Sequence, residues 1–316
     1  MNIILFAGII LSLLIVVEII LRVFFGFGNP LIYIKDDKIG YLLAPNQSTR
    51  RFGNYIEINQ YSMRNGQITA TPVNQTLRIL LLGDSIANGG WWTDQSQILS
   101  QLIEKRLRLF LEKSNFKEVE VLNASANSWS PRNQLSYLQK YGTFGAEYMI
   151  LLINTDDLFG IAPTSVPIGK DINYPEHKPL LGIIEFLHRL LPYKPPKEME
   201  IVYAEKGDRV GFVLEAIGQI HQIALTNKCK LLLAMTPLVR EVIPPGSLDY
   251  EIVARKRLTD FTMKHDIKYI DFLPMFQENK EREKLFRDNI HLSLTGNELV
   301  ETEIVKYVVG TNYEIY

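Results

Sequence analysis

Gly83-Asp84-Ser85 follows a short apolar run at residues 77–82. A Ser on a tight strand-to-helix turn presents its hydroxyl at the edge of a sheet and leaves its backbone N–H free to donate. Near the C-terminus, Asp288-Asn289-Ile290-His291 precedes the last apolar helical pattern. A Ser nucleophile needs a base, and the base needs a carboxylate to fix its tautomer. Asp288 and His291 are spaced to share one short turn, so the carboxylate can orient the imidazole. Two more polar segments follow apolar runs. Asn123-Ala124-Ser125-Ala126-Asn127-Ser128 comes after residues 119–122, and Asn154-Thr155-Asp156-Asp157 after residues 148–153.

The elements that must position these groups alternate. Strands are expected at 77–82, 119–122, 148–153, 230–235 and 268–270. Helices are expected at 94–113, from Pro131 onward, at 210–226, 248–264 and 294–309, with an apolar helix near 180–191 inside a Pro-containing insertion at 158–207. Strands separated by helices of about ten residues or more imply βαβ units and a parallel sheet. Near-continuous apolar strands fit a sheet covered on both faces. Ligands of such sheets bind beyond the carboxyl ends of the strands, where all four polar segments fall. Residues 26–76, rich in Asn, Gly, Pro and Tyr, are expected to form an extended connector with short strands.

GDS after the first strand and D-x-x-H before the last helix resemble the SGNH/GDSL hydrolases over about residues 77–308, within a domain drawn at 77–309. The resemblance implies a flavodoxin-like three-layer αβα fold with five parallel strands in the order 2-1-3-4-5. It implies Ser85 as nucleophile, His291 as base, Asp288 as its partner and the Ser85 N–H as one oxyanion donor. Two positions depart from the family pattern. Ser128 stands where the family carries a Gly whose N–H donates. Asp156 stands where the family carries an Asn donor. An ionised Asp only accepts, and losing one such donor costs on the order of 10²–10³ in rate. Either Asp156 is protonated, or Asn154 or another group substitutes, or the site is slow or silent.

Other readings compete at single residues. Asp84 can simply cap its turn, and Asp288 can end a charged segment. Trp91 and Trp92, after the Ser turn, can line a substrate groove or cover the core edge. His177, His188, His221 and His265 read as structural, and no pair has metal-ligand spacing, so neither metal nor cofactor is expected. A phosphate cradle at Gly83–Ser85 lacks the Gly-rich fingerprint. The sequons at Asn46, Asn74 and Asn123 read as coincidental.

Residues 3–17 carry no charge, and the apolar character runs on to Phe25, broken by Glu18 and Arg22. About 20 apolar residues match the hydrocarbon thickness, and Glu18 and Arg22 share one helix face. Residues 3–25 are therefore expected to be a single membrane-spanning anchor. A cleaved signal peptide and a buried core helix are the rival readings. The positive-inside rule, taken on Arg22, Lys35 and Lys38, favours a cytoplasmic domain. The resemblance to anchored relatives favours an extracytoplasmic one, which is the expectation adopted.

The chain has 316 residues, 34 Lys and Arg against 35 Asp and Glu, 47% hydrophobic and 22% charged residues. That excludes a disordered chain, and a net charge of -1 gives no basic footprint for nucleic acid. The lone Cys229 excludes an internal disulfide framework. Three functions follow from the site: an esterase acting on small acyl esters, lipid esters or glycan O-acetyl groups, an acyltransferase using the same Ser85, or a silent glycan- or lipid-binding module.

Overall fold

The computed structural model describes residues 3–111 and 115–310. Its centre is a parallel sheet of five strands: β5 (Thr76–Gly83), β6 (Glu118–Ser125), β7 (Tyr148–Asn154), β8 (Lys230–Thr236) and β9 (Lys268–Asp271). Their spatial order is β6-β5-β7-β8-β9, which is the 2-1-3-4-5 order expected. Every residue of β5 is buried, because both faces are covered and no polar face is left to build. Leu80 and Leu82 enter one core, and Leu77, Ile79 and Leu81 enter the other, as a period of two requires.

On the first face lie α4 (Pro131–Tyr141), α7 (Arg209–Thr226) and α9 (Asp249–Lys264). On the second lie α2 (Ser85–Asn88), α3 (Leu99–Arg108), α10 (Leu273–Glu278) and α11 (Leu294–Val309). A four-residue helix, α8 (Val239–Val242), follows β8. The helix expected at 94–113 begins later. Asp94 instead caps a 3-10 turn at Gln95–Gln97 by accepting from the Ser96 N–H, and Ile98 is extended before α3 starts. The far end of that expected helix, residues 112–113, lies outside the described residues.

Ahead of the sheet, two antiparallel hairpins form: β1 (Tyr33–Asp36) with β2 (Gly40–Leu43), and β3 (Gln47–Arg51) with β4 (Asn54–Ile58). Tyr33, Ile39, Leu42, Ile56 and Met63 are buried in the first-face core. The 158–207 stretch carries α5 (Gly182–Leu190) and the short α6 (Met199–Tyr203).

Helix α1 (Ile3–Ile20) continues through a π-turn at Leu21–Phe25. No residue of α1 is buried, and Ile3–Phe25 is long and apolar enough to cross a membrane. It meets the domain at a tight joint. Gly26 is left-handed at φ 74°, and a Cβ there would sit 1.9 Å from the Arg50 carbonyl oxygen, so only Gly fits. Arg51 donates to the Gly26 carbonyl at 2.7 Å and pairs with buried Glu185 of α5 at 2.8 Å. Phe27 packs edge-on to Phe52 and Phe186.

Candidate active site

Asp84 is the N-cap of α2, its carboxylate accepting from the Ile86 N–H at 2.8 Å. Ser85 is therefore the first helical residue, whose N–H has no partner inside the helix. Its hydroxyl lies 2.8 Å from His291 Nε2. His291 Nδ1 lies 2.9 Å from both oxygens of Asp288. An ionised carboxylate only accepts, so the ring proton belongs on Nδ1 and Nε2 accepts from the Ser85 hydroxyl. Asp288 also accepts from the Ile290 and His291 backbone N–H groups, which closes the Asp-x-x-His turn. Partial burial pushes the Asp288 carboxyl up, but these donors and the facing imidazole outweigh it and hold it below its usual range.

Directly behind this chain lies a second carboxylate cluster. Asn154, at the end of β7, gives its side-chain amide hydrogens to Asp84 at 2.8 Å and Asp157 at 3.1 Å. Its carbonyl accepts from the Asp156 N–H, and Asp157 accepts from the Asn154 N–H. Asn-x-x-Asp thus makes a reciprocal cap on the turn Thr155–Phe159. Both amide hydrogens being committed, Asn154 cannot be the substitute oxyanion donor. Burial pushes Asp84 up to about 6. Burial and then the neighbouring Asp84 charge push Asp157 well above the carboxylate range.

Two cavities, of about 400 and 360 Å³, meet over Ser85. Asp156 lines the first together with Asp84, Ser85 and Ser128. Burial raises its carboxyl, Glu241 adds to the effect, and Arg240 opposes it. Ser128 sits at φ 59°, the left-handed backbone that glycine adopts without cost. Its hydroxyl accepts from Tyr174 at 2.8 Å, while Tyr41 donates to the Asn127 carbonyl at 2.6 Å. Trp91 and Trp92 line the second cavity with His291. The Trp92 ring lies 4.4 Å from the imidazole, and Arg287 stands 4.7 Å over it. Among the described residues, no group of three or more His, Cys, Asp or Glu is placed to hold a metal. Asn123 of the third sequon is fully buried.

Several lining groups escaped the sequence reading. Tyr41 comes from the hairpins, and Asp171, Tyr174 and Tyr193 from the 158–207 stretch. Tyr193 donates to Asp171 at 2.6 Å. Buried Arg64 donates to the Gly90 carbonyl at 2.6 Å and to those of Asn88 and Thr93, which fixes the loop carrying both Trp residues. Only the Tyr content of residues 26–76 hinted at Tyr41. The Asn154–Asp157 spacing was a readable cap signal.

No protein-family model matches the sequence, and no curated protein does. Solved structures do. A lipase/acylhydrolase from Enterococcus faecalis is 18% identical, covering 74% of this chain and 96% of its own, with a TM-score of 0.47. An acetyl xylan esterase is 12% identical, covering 73% and 99%, with a TM-score of 0.49. A member of the lipolytic protein G-D-S-L family from Veillonella parvula is 14% identical, covering 75% and 99%, with a TM-score of 0.44.

Proposed function

We propose that the chain is a membrane-anchored serine esterase that cleaves acyl esters through Ser85, His291 and Asp288. The observation that carries this is the unbroken hydrogen-bonded chain from the Ser85 hydroxyl through both imidazole nitrogens to Asp288, opening on the paired cavities. Ser85 Oγ attacks the ester carbonyl as His291 Nε2 takes its proton. The oxyanion is met by the N–H groups of Ser85 and Ser128. The imidazolium returns its proton to the leaving alkoxide, and an acyl-Ser85 ester remains. Water, deprotonated by the same Nε2, then releases the acid and restores the serine. Asp288 holds the ring tautomer throughout.

Residues 3–25 supply the anchor in this reading, with the domain at 77–309, including 158–207, on the extracytoplasmic side. Protease added to intact cells would digest a domain so placed; protection there would reverse the orientation. A fluorophosphonate probe tests the chemistry. The parent protein should be labelled and Ser85→Ala should not. No labelling of the folded parent would end the proposal and leave the silent binding module.

The two cavities also favour a second reading, acyl transfer, with the acyl group in one lobe and an alcohol in the other. An added sugar that captures the acyl group would establish it. Acetate, a lipid acid and a glycan O-acetyl group are all candidates for the acyl part.

A further inference from the structure

Helix α5 exposes several apolar side chains and buries an acidic one. Soluble helices turn their apolar stripe to the core and their charges to water. In α5 Glu185 and Arg189 turn inward, while His188 is exposed. Glu185 is buried, where it pairs with Arg51 at 2.8 Å, accepts from the Gly28 N–H at 2.7 Å and accepts from Arg189 at 2.9 Å. Within α5, Ile184, Leu187 and Leu190 recur every third residue and are 40%, 53% and 65% exposed, and the extended residues at its two ends, Leu181 and Leu191, are 42% and 65% exposed. Leu180 beside them is 84% exposed. A stripe of this kind on one rim marks a contact surface.

The helix's attachment bears on what covers it. Glu18 of α1 accepts from the Gly182 and Ile183 N–H groups at 2.8 and 2.9 Å, capping α5. Arg22 donates to the Leu180 carbonyl at 2.8 Å. The first turn of α5 is thus fastened to the end of the candidate membrane span. Val23 and Phe24 of that end are 70% and 67% exposed and continue the apolar surface. Lys178 and Lys194 bracket α5 in the chain and are both exposed, where they suit anionic head groups.

We propose that α5 lies in the bilayer interface, with Leu181, Ile184, Leu187, Leu190 and Leu191 among the lipid chains. This rests on the anchor assigned to residues 3–25. The inward side of the same helix presents Arg189 to the smaller cavity over Ser85 and His291. The mouth of the site then sits at head-group level, and the ester it takes is an amphiphile drawn from the membrane.

The full chain in phosphatidylcholine–phosphatidylglycerol discs tests this by spin labelling. In a Cys229→Ser background, labels enter singly at Leu14→Cys, Leu187→Cys, Leu191→Cys and Asp260→Cys. Labels at 187 and 191 should collide several-fold more with oxygen than with a water-soluble nickel chelate, as at 14, while 260 shows the reverse. Chelate access at 187 and 191 with 14 still in lipid would overturn the proposal and leave the anchor standing. Chelate access at 14 would overturn both. Shielding of 187 and 191 from both reagents would assign the stripe to protein, such as a second copy, and overturn it. A second measurement uses activity. Leu187→Glu with Leu191→Glu should raise the apparent KM for a lipid ester at least about tenfold and leave a soluble short-chain ester unaffected. Equal change on both esters, or none on either, would count against the proposal.

Discussion

A lone carboxylate and a buried pair of carboxylates stand near Ser85 and behave in opposite ways. Asp288 is half open to solvent, collects backbone and imidazole donors, and is held below its ordinary range. Asp84 and Asp157 are buried, share a single Asn154 amide group, and are pushed up. The same functional group therefore serves two ends. Where donors converge, a carboxylate stays charged and can steady an imidazolium. Where burial dominates, it favours the neutral form and ties the Ser85 turn to the end of β7.

The sharpest way to break this contrast is to neutralise each side. Asp288→Asn should lower kcat on a soluble ester by roughly three to four orders of magnitude, since the amide allows the wrong imidazole tautomer. Its thermal midpoint should barely move. Asp157→Asn should cost less than about tenfold in kcat, as it only supports the turn. Equal losses in the two variants would erase the division of labour.

A smaller effect is expected at Asp156. The carboxylate accepts only, whereas an amide donates. Asp156→Asn should raise kcat/KM about tenfold, part of what one oxyanion donor is worth. An unchanged kcat/KM would mean that position 156 does not face the developing charge.

The smallest effect is thermodynamic. Burial holds Asp84 at about 6, against about 3.9 in an unfolded chain. Between those values the folded protein keeps a proton that the unfolded chain has released. Stability is therefore lost as pH rises through that window. Asp84→Asn removes this titration, so its urea-derived stability should vary less than the parent's across the window, by on the order of 2 kcal/mol. Parallel pH curves for the two proteins would contradict the assignment.

The sheet was legible because its strands are apolar, short and punctuated by helices, which leaves few topologies. The meeting of Ser85 with His291 was legible for a related reason: parallel strands end at one edge, and Asp288 reaches His291 through a local turn. The walls of the site were not. Tyr174 and Tyr193 come from irregular segments, where no period says which way a ring points, and Tyr41 from the four-residue strand β2, all of it buried, which shows no alternation to read. Helix α5 shows the limit most clearly. Its periodicity announced a helix at 180–191, yet period alone cannot say which face turns inward. That was decided by Arg51, a partner of Glu185 far away in the sequence.

The joint at Gly26 has a mechanical consequence. Many tethered enzymes hang on a slack leash and search a volume whose radius the leash sets. Here α1 passes into the domain through a glycine that admits no substitute, a buried ion pair and edge-on phenylalanines. With α1 in a bilayer, such a socket fixes both altitude and tilt. The domain would patrol a plane by lateral diffusion, its groove always presented at the same height, and targets beyond that layer would have to come to it.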